Sequence, residues 1–163
     1  MAQGDATLED QDVIGGHLVL SYLRNATSEL EVHGLDGKLV RKIDLPSLGT
    51  VSGMTGRADE DTAYFGYSSF TEPSIIYKTS IKTGKIVEWS RISLPIDTRR
   101  FVTEQVRYPS RDGTLITMFV VHARDTIKTG NLPTLMTAYG GFRVSITPEF
   151  YPRYAVWLDM GGV

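Results

Sequence analysis

Leu35-Asp36-Gly37-Lys38-Leu39-Val40 and, 47 residues further on, Lys82-Thr83-Gly84-Lys85-Ile86-Val87 are two versions of one pattern. Each sets a glycine in a tight polar turn between strand-like runs. Around the first turn stand Glu29 to Leu35 and Lys38 to Leu45; around the second, Ile75 to Ile81 and Lys85 to Ile92. Asp-Gly between apolar runs is a strong hairpin signal. A spacing of 40–50 residues, filled with short antiparallel strands, is the mark of a β-propeller blade. A generic β-sandwich is the competing fold for the same pattern.

Working outward, His17 to Leu23 is an apolar β run. Val51 to Thr55 and Ala63 to Tyr67 are two short strands on either side of the polar turn at Asp59-Glu60-Asp61. Residues 13–95 then hold one full blade and about three strands of another, so the propeller part amounts to one and a half to two blades. A propeller closes with roughly four to eight. The β region is therefore expected either to belong to a longer chain or to pair with another partner.

Leu94-Pro95-Ile96-Asp97 reads as a boundary and Thr98-Arg99-Arg100 as a charged linker, dividing the chain into 1–95 and 96–163. Beyond it, Phe101 to Tyr108 and Thr114 to His122 form a hairpin around Pro109 to Gly113. Leu132 to Ala138 is continuously apolar, as in a strand covered on both faces. It leads into Tyr139-Gly140-Gly141-Phe142. Phe150, Tyr154, Trp157 and Leu158 recur at helical spacing from about Glu149 to Met160, with Gly161 as the C-terminal stop. Strands, glycine turn, then helix is the opening of an α/β-hydrolase sheet. In such folds the loop after the third strand supplies an oxyanion donor, often from a glycine-rich motif. Two adjacent glycines also let backbone approach a ligand closely.

These motifs carry a family resemblance. Tyr108-Pro-Ser-Arg-Asp-Gly-Thr114, Met118-Phe-Val-Val-His122, Gly130-Asn-Leu-Pro-Thr134, Tyr139-Gly-Gly-Phe142 and Ser145-Ile-Thr-Pro148 closely resemble the prolyl oligopeptidase family of serine peptidases. The likeness is strongest over residues 101–163 and extends more loosely back to about residue 13. Gly141 and Phe142 favour the proline-specific branch over the relatives that cut after basic residues. Thr137-Ala138 stands where the family usually has Tyr-Gly. The resemblance implies that 1–95 is the C-terminal part of a β-propeller. It makes 96–163 the N-terminal part of the α/β-hydrolase domain, truncated before the nucleophile. It implies that the Tyr139 hydroxyl donates to the oxyanion and that Phe142 lines the pocket for the substrate proline. Short proline-containing peptides and the missing C-terminal part of the catalytic domain are the implied partners. No metal or cofactor is implied.

The catalytic serine, acid and base are not expected within these residues. There is no Gly-x-Ser-x-Gly, and Ser52 and Ser68 have glycines at the wrong spacing and read as turn residues. His17, His33 and His122 all precede Tyr139, whereas the hydrolase triad runs Ser, acid, His after this segment. The chain by itself is therefore expected to be inactive, and a non-catalytic β-rich interaction module is the alternative. Asp59-Glu60-Asp61 is a solvated turn before it is a cation site. A net charge of −2 among 163 residues argues against nucleic-acid binding, which needs clustered basic residues. There are no cysteines to make disulfides or thiolate metal sites. Asn25-Ala26-Thr27 fits a glycosylation sequon of the kind that arises often by chance. No apolar run approaches a membrane helix. Met1 to Asp10 is polar and acidic, unlike a secretory leader, so a cytoplasmic location is expected.

Overall fold

A computed structural model describes residues 4–127 and 129–163. Eight strands form two four-stranded antiparallel sheets. The first contains β1 (Thr7–Ile14), β2 (His17–Arg24), β3 (Thr27–His33) and β4 (Leu39–Ile43), in that order across the sheet. The second repeats it with β5 (Thr50–Gly56), β6 (Thr62–Ser68), β7 (Ile75–Ser80) and β8 (Ile86–Arg91). Both are meanders of sequential hairpins, the form of a propeller blade. The 47-residue sequence repeat falls on equivalent turns, between the third and fourth strand of each sheet. Gly37 and Gly84 have φ of 80° and 73° there, a left-handed conformation that only glycine adopts without cost.

The start of the first blade corrects the sequence reading, in which the β region begins at Val13. Residues 7–12 already form a strand, so the first blade has four strands and both blades are whole. Thr7 to Asp12 is polar because β1 is an edge strand exposed along nearly its whole length. Neither hydropathy alternation nor an apolar run marks such a strand. Ser52 and Ser68 are also corrected: both are strand residues, on β5 and β6. Their glycine neighbours serve the sheet rather than a turn. Gly53 sits at a break in the β5 register, and Gly66 leaves room for the Ser52 hydroxyl.

The blades pack face to face. Ile14, Val19, Leu30, Val32 and Ile43 of the first meet Ala63, Phe65, Tyr67, Ile75, Tyr77 and Ile81 of the second in one apolar cluster. Burial of each large side chain is worth about 1.5–3 kcal/mol. Polar bonds reinforce the seam: Gly15 and Gly16, in the β1–β2 turn, donate to the carbonyls of Arg57 and Ala58 at 3.0 and 2.8 Å. On the opposite face of the first blade, Glu29 and Glu31 of β3 both pair with Lys42 of β4. Asp61 accepts from Ser80 Oγ and from the Lys82 N–H, both at 2.7 Å. The Ser80 bond is the main reason its carboxyl lies below the ordinary aspartate range.

The remaining chain is smaller and more loosely packed. After a 3₁₀ turn capped by Asp97, β9 (Phe101–Pro109) and β10 (Leu115–Ala123) form a two-stranded hairpin, followed by α1 (Pro152–Asp159). Proline occupies the start of α1, where its missing N–H is not needed. The helix ends at the expected glycine. With φ of 86°, Gly161 donates to the Leu158 carbonyl while Gly162 donates to that of Trp157, the paired bonds of a Schellman stop. Ala155 and Leu158 are the buried helix residues and pack against Phe101, Val121 and Phe150.

Leu132 to Ala138 departs from expectation. Residues 133–138 are exposed and form no regular strand. A strand buried on both faces needs neighbours on both edges. Among the described residues, the only backbone partner of this run is Val163, whose carbonyl accepts from the Leu135 N–H at 2.8 Å. Its N–H donates to the Pro133 carbonyl at 2.9 Å. Those two bonds have the slanted pattern of a parallel pairing across Thr134.

Gly49, which joins the blades, lies flat against the buried Tyr67 ring, and a Cβ there would overlap it. The Tyr67 hydroxyl is meanwhile held by Ser47 at 2.6 Å, and burial pushes its pKa up to about 12. The ring therefore has little freedom to move aside. Gly49→Ala is expected to cost about 1–3 kcal/mol by overpacking. A urea titration should show this as a lower midpoint at unchanged slope.

Candidate functional site

The residues singled out in the sequence lie together on one exposed turn. Tyr139 is 51% exposed, and its ring curls back toward Gly141, where a Cβ would stand 3.4 Å from the phenolic oxygen. The hydroxyl has no hydrogen-bond partner among the described residues. Phe142 is 93% exposed. The turn closes with a bond from the Val144 N–H to the Gly141 carbonyl at 3.1 Å.

The two glycines are not the strained residues. Left-handed backbone falls on the next pair, Phe142 at φ 53° and Arg143 at φ 57°. Each costs roughly 1–2 kcal/mol for a residue with a Cβ. Backbone held in so sparse a region often marks a functional segment. At Gly140 nothing lies within 4 Å of where a Cβ would stand, so a side chain there has open space.

The second feature is a cleft of about 410 Å³ between the second blade and residues 147–152. Thr50, Ser52, Ser68 and Ser74 contribute hydroxyls to its wall; Pro148 and Phe150 contribute apolar surface. Two further contacts join the β9–β10 hairpin to the blades. Gln105 and Arg107 donate to the backbone and side-chain oxygens of Asn25 at 2.8 and 2.7 Å, and Phe70 packs on Phe119 with ring centroids 5.2 Å apart. Asn25 and Ala26 both have positive φ, a conformation that asparagine tolerates better than most residues. The partners in each of these contacts are far apart in sequence. No local pattern marks them, and the sequence reading missed them.

The histidines sit in structural settings. His17 Nδ1 lies 2.8 Å from the Gly15 carbonyl. His33 is held between the Gly37 carbonyl and Glu31, and His122 between the Ala123 carbonyl and Glu104. Ser68 Oγ is engaged by the Phe150 N–H and the Glu72 carbonyl. The acidic turn is occupied by protein groups: Arg57 faces Asp59 and Glu60, and Ser80 and Lys82 hold Asp61. No helix of the described residues is long and apolar enough to cross a membrane.

Paired four-stranded meanders occur in β-propellers and β-sandwiches alike, and comparison with known proteins decides between them. The family described as "Prolyl oligopeptidase, N-terminal beta-propeller domain" matches residues 2–91. The chain belongs to the prolyl oligopeptidase family of serine peptidases. It is 35% identical over 149 residues to the prolyl endopeptidase of Elizabethkingia miricola, covering 91% of this chain and 21% of that one. It is 34% identical over 137 residues to a prolyl oligopeptidase of Omphalotus olearius, covering 82% and 18%. A structure from a mechanistic study of two prolyl endopeptidases, concerned with inter-domain dynamics in catalysis and specificity, superposes with a TM-score of 0.88. The two are 44% identical, and the match covers 99% of this chain and 24% of that one. The chain thus spans about a fifth of the length of the curated relatives it matches.

Because Phe142 is almost wholly exposed, its ring contributes little to packing here, while its backbone is strained. Phe142→Gly removes both ring and strain. The melting temperature of this polypeptide is expected to be unchanged or slightly raised by it, as for surface substitutions generally. A drop of several degrees in a thermal scan would show that the ring packs against the fold.

Proposed function

We propose that these residues are part of a prolyl endopeptidase that hydrolyses short peptides after proline. In this reading, residues 1–95 are the C-terminal part of the propeller and 96–163 the N-terminal part of the α/β-hydrolase domain. The observation that carries the reading is the likeness to a prolyl endopeptidase structure over 99% of the chain at 44% identity, which includes the Tyr139 to Phe142 turn. The parallel bonding of Val163 to residues 133–135 supports the hydrolase opening. The chain leaves residues 132–138, passes through α1 and returns alongside, the connectivity of a strand–helix–strand crossover.

The chemistry follows from what each side chain offers. When a nucleophile adds to a peptide carbonyl, the oxygen gains charge that the ground state lacks. A phenol fixed beside it stabilises the transition state more than the substrate. Tyr139, on a turn and with no partner for its hydroxyl among the described residues, is suited to that donation. A pyrrolidine ring has no charge and no N–H, so the flat ring of Phe142 is a fitting wall for it. Serine, histidine and aspartate would complete the reaction as nucleophile, general base and orienting acid. They lie in the remaining four-fifths of a full-length peptidase.

Two measurements test this. The polypeptide of residues 1–163 alone should release no chromophore from a blocked Gly-Pro substrate, because oxyanion donation without a nucleophile does little. Turnover that a serine-directed phosphonate blocks would reject the assignment. In the full-length protein, Tyr139→Phe deletes only the hydroxyl. It should lower kcat by the equivalent of about 2–4 kcal/mol, as for other oxyanion donors, with little change in melting temperature. Unchanged kcat with a depressed melting temperature would instead make Tyr139 a structural residue.

A further inference from the structure

The Tyr139 turn is tied to the second blade by a short strap. Pro148 is fully buried, and its carbonyl accepts a hydrogen bond from Thr50 Oγ1 at 2.7 Å. Two residues later the Phe150 N–H donates to Ser68 Oγ at 3.2 Å, and that hydroxyl donates in turn to the Glu72 carbonyl at 3.2 Å. Thr50 and Ser68 are opposite each other in the β5–β6 register. One rung of the blade therefore holds two backbone groups of one segment, on either side of Glu149.

This pin stands where the turn gives way to the helix. Downstream, Phe150 packs on the cluster of Phe101, Ala155 and Leu158, and α1 begins at Pro152. Upstream, Pro148 lies six positions beyond Phe142, a tether of at most ~20 Å at about 3.5 Å per residue. The turn has few other anchors: residues 142–146 are exposed, and the Val144 bond to Gly141 is internal to it. Pro148 has no N–H, so its carbonyl is the one backbone group the strap can offer the blade at that residue. Without Thr50 that carbonyl is left buried and unpaired, which the chain relieves by moving.

We infer that Thr50 and Ser68 are positioning residues, blade-borne hydroxyls that set where the Tyr139 turn stands. The inference rests on the reading of Tyr139 as oxyanion donor. It makes the propeller part of the catalytic apparatus through two named hydrogen bonds. The effect is on rate, because a donor displaced by about 1 Å loses transition-state stabilisation far more than substrate binding.

The test uses the full-length protein with Thr50→Val, Ser68→Ala, the pair, and Thr50→Ser, each also combined with Tyr139→Phe. The pair should lower kcat about tenfold, the mark of lost transition-state contact, with a smaller rise in KM because Phe142 rides on the same turn. Thr50→Ser, which restores the hydroxyl, should retain kcat to within about twofold. In the Tyr139→Phe background the pair should cost less than about threefold, since the donor it positions is gone. A tenfold loss in both backgrounds, or an undiminished kcat in the pair, overturns the inference. Amide exchange at Phe150, whose N–H donates to Ser68, reads the pin directly: protection should fall in Ser68→Ala and be kept in Thr50→Ser, and equal protection in both overturns it. Thr50→Val keeps shape and branching and serves alone if the pair does not purify folded. An intact kcat in Tyr139→Phe itself would sink the oxyanion reading, whereas a large Tyr139→Phe loss with additive variants removes only the positioning role.

Discussion

The apolar seam between the two blades is the interaction on which the rest depends. Leu30 and Val32 of β3 share one buried cluster with Phe65, Tyr67 and Tyr77 and with Ile14, Ile43, Ile75 and Ile81. Side-chain alternation makes this possible: every second residue of β6 and β7 is buried, as the pattern of Ala63, Phe65 and Tyr67 illustrates. A one-residue slip would turn each of these into solvent. The left-handed glycines at 37 and 84 and the close approach of Gly49 to Tyr67 keep the strands in that register.

Everything beyond residue 95 leans on that seam more than on a core of its own. Its buried cluster is small, and it is joined to the blades chiefly by polar contacts: Asn25 with Gln105 and Arg107, Thr50 with Pro148, Ser68 with Phe150. Such bonds are individually worth only about 0.5–1.5 kcal/mol. They are directional, however, and place a segment without burying it. That suits a turn whose side chains lie exposed. Tyr139 and Phe142 stay exposed while the strap behind them is pinned at Pro148. A rigid blade thus holds an open turn, the arrangement that lets a loop keep a defined position while its side chains face solvent.

Local pattern determined a good deal of this protein. Alternating runs and glycine turns marked seven of the eight blade strands, and the two turns of the internal repeat proved equivalent in space. The helix stop at Gly161 was equally legible, since a left-handed glycine after an amphipathic turn has a local cause. The Tyr139 to Phe142 motif was visible as residues, and so was the family it resembles. Tertiary structure decided the remainder. Thr7 to Asp12 is a strand because β2 pairs with it, although its own residues are polar. Leu132 to Ala138 is as apolar as a core strand, yet among the described residues Val163 is its only backbone-to-backbone partner. Thr50, Ser68 and Asn25 acquired their roles from partners about 80 to 100 positions away. Hydropathy and spacing act over a turn or a rung, whereas a hydrogen bond between distant segments exists only once the chain has folded to bring them within about 3 Å.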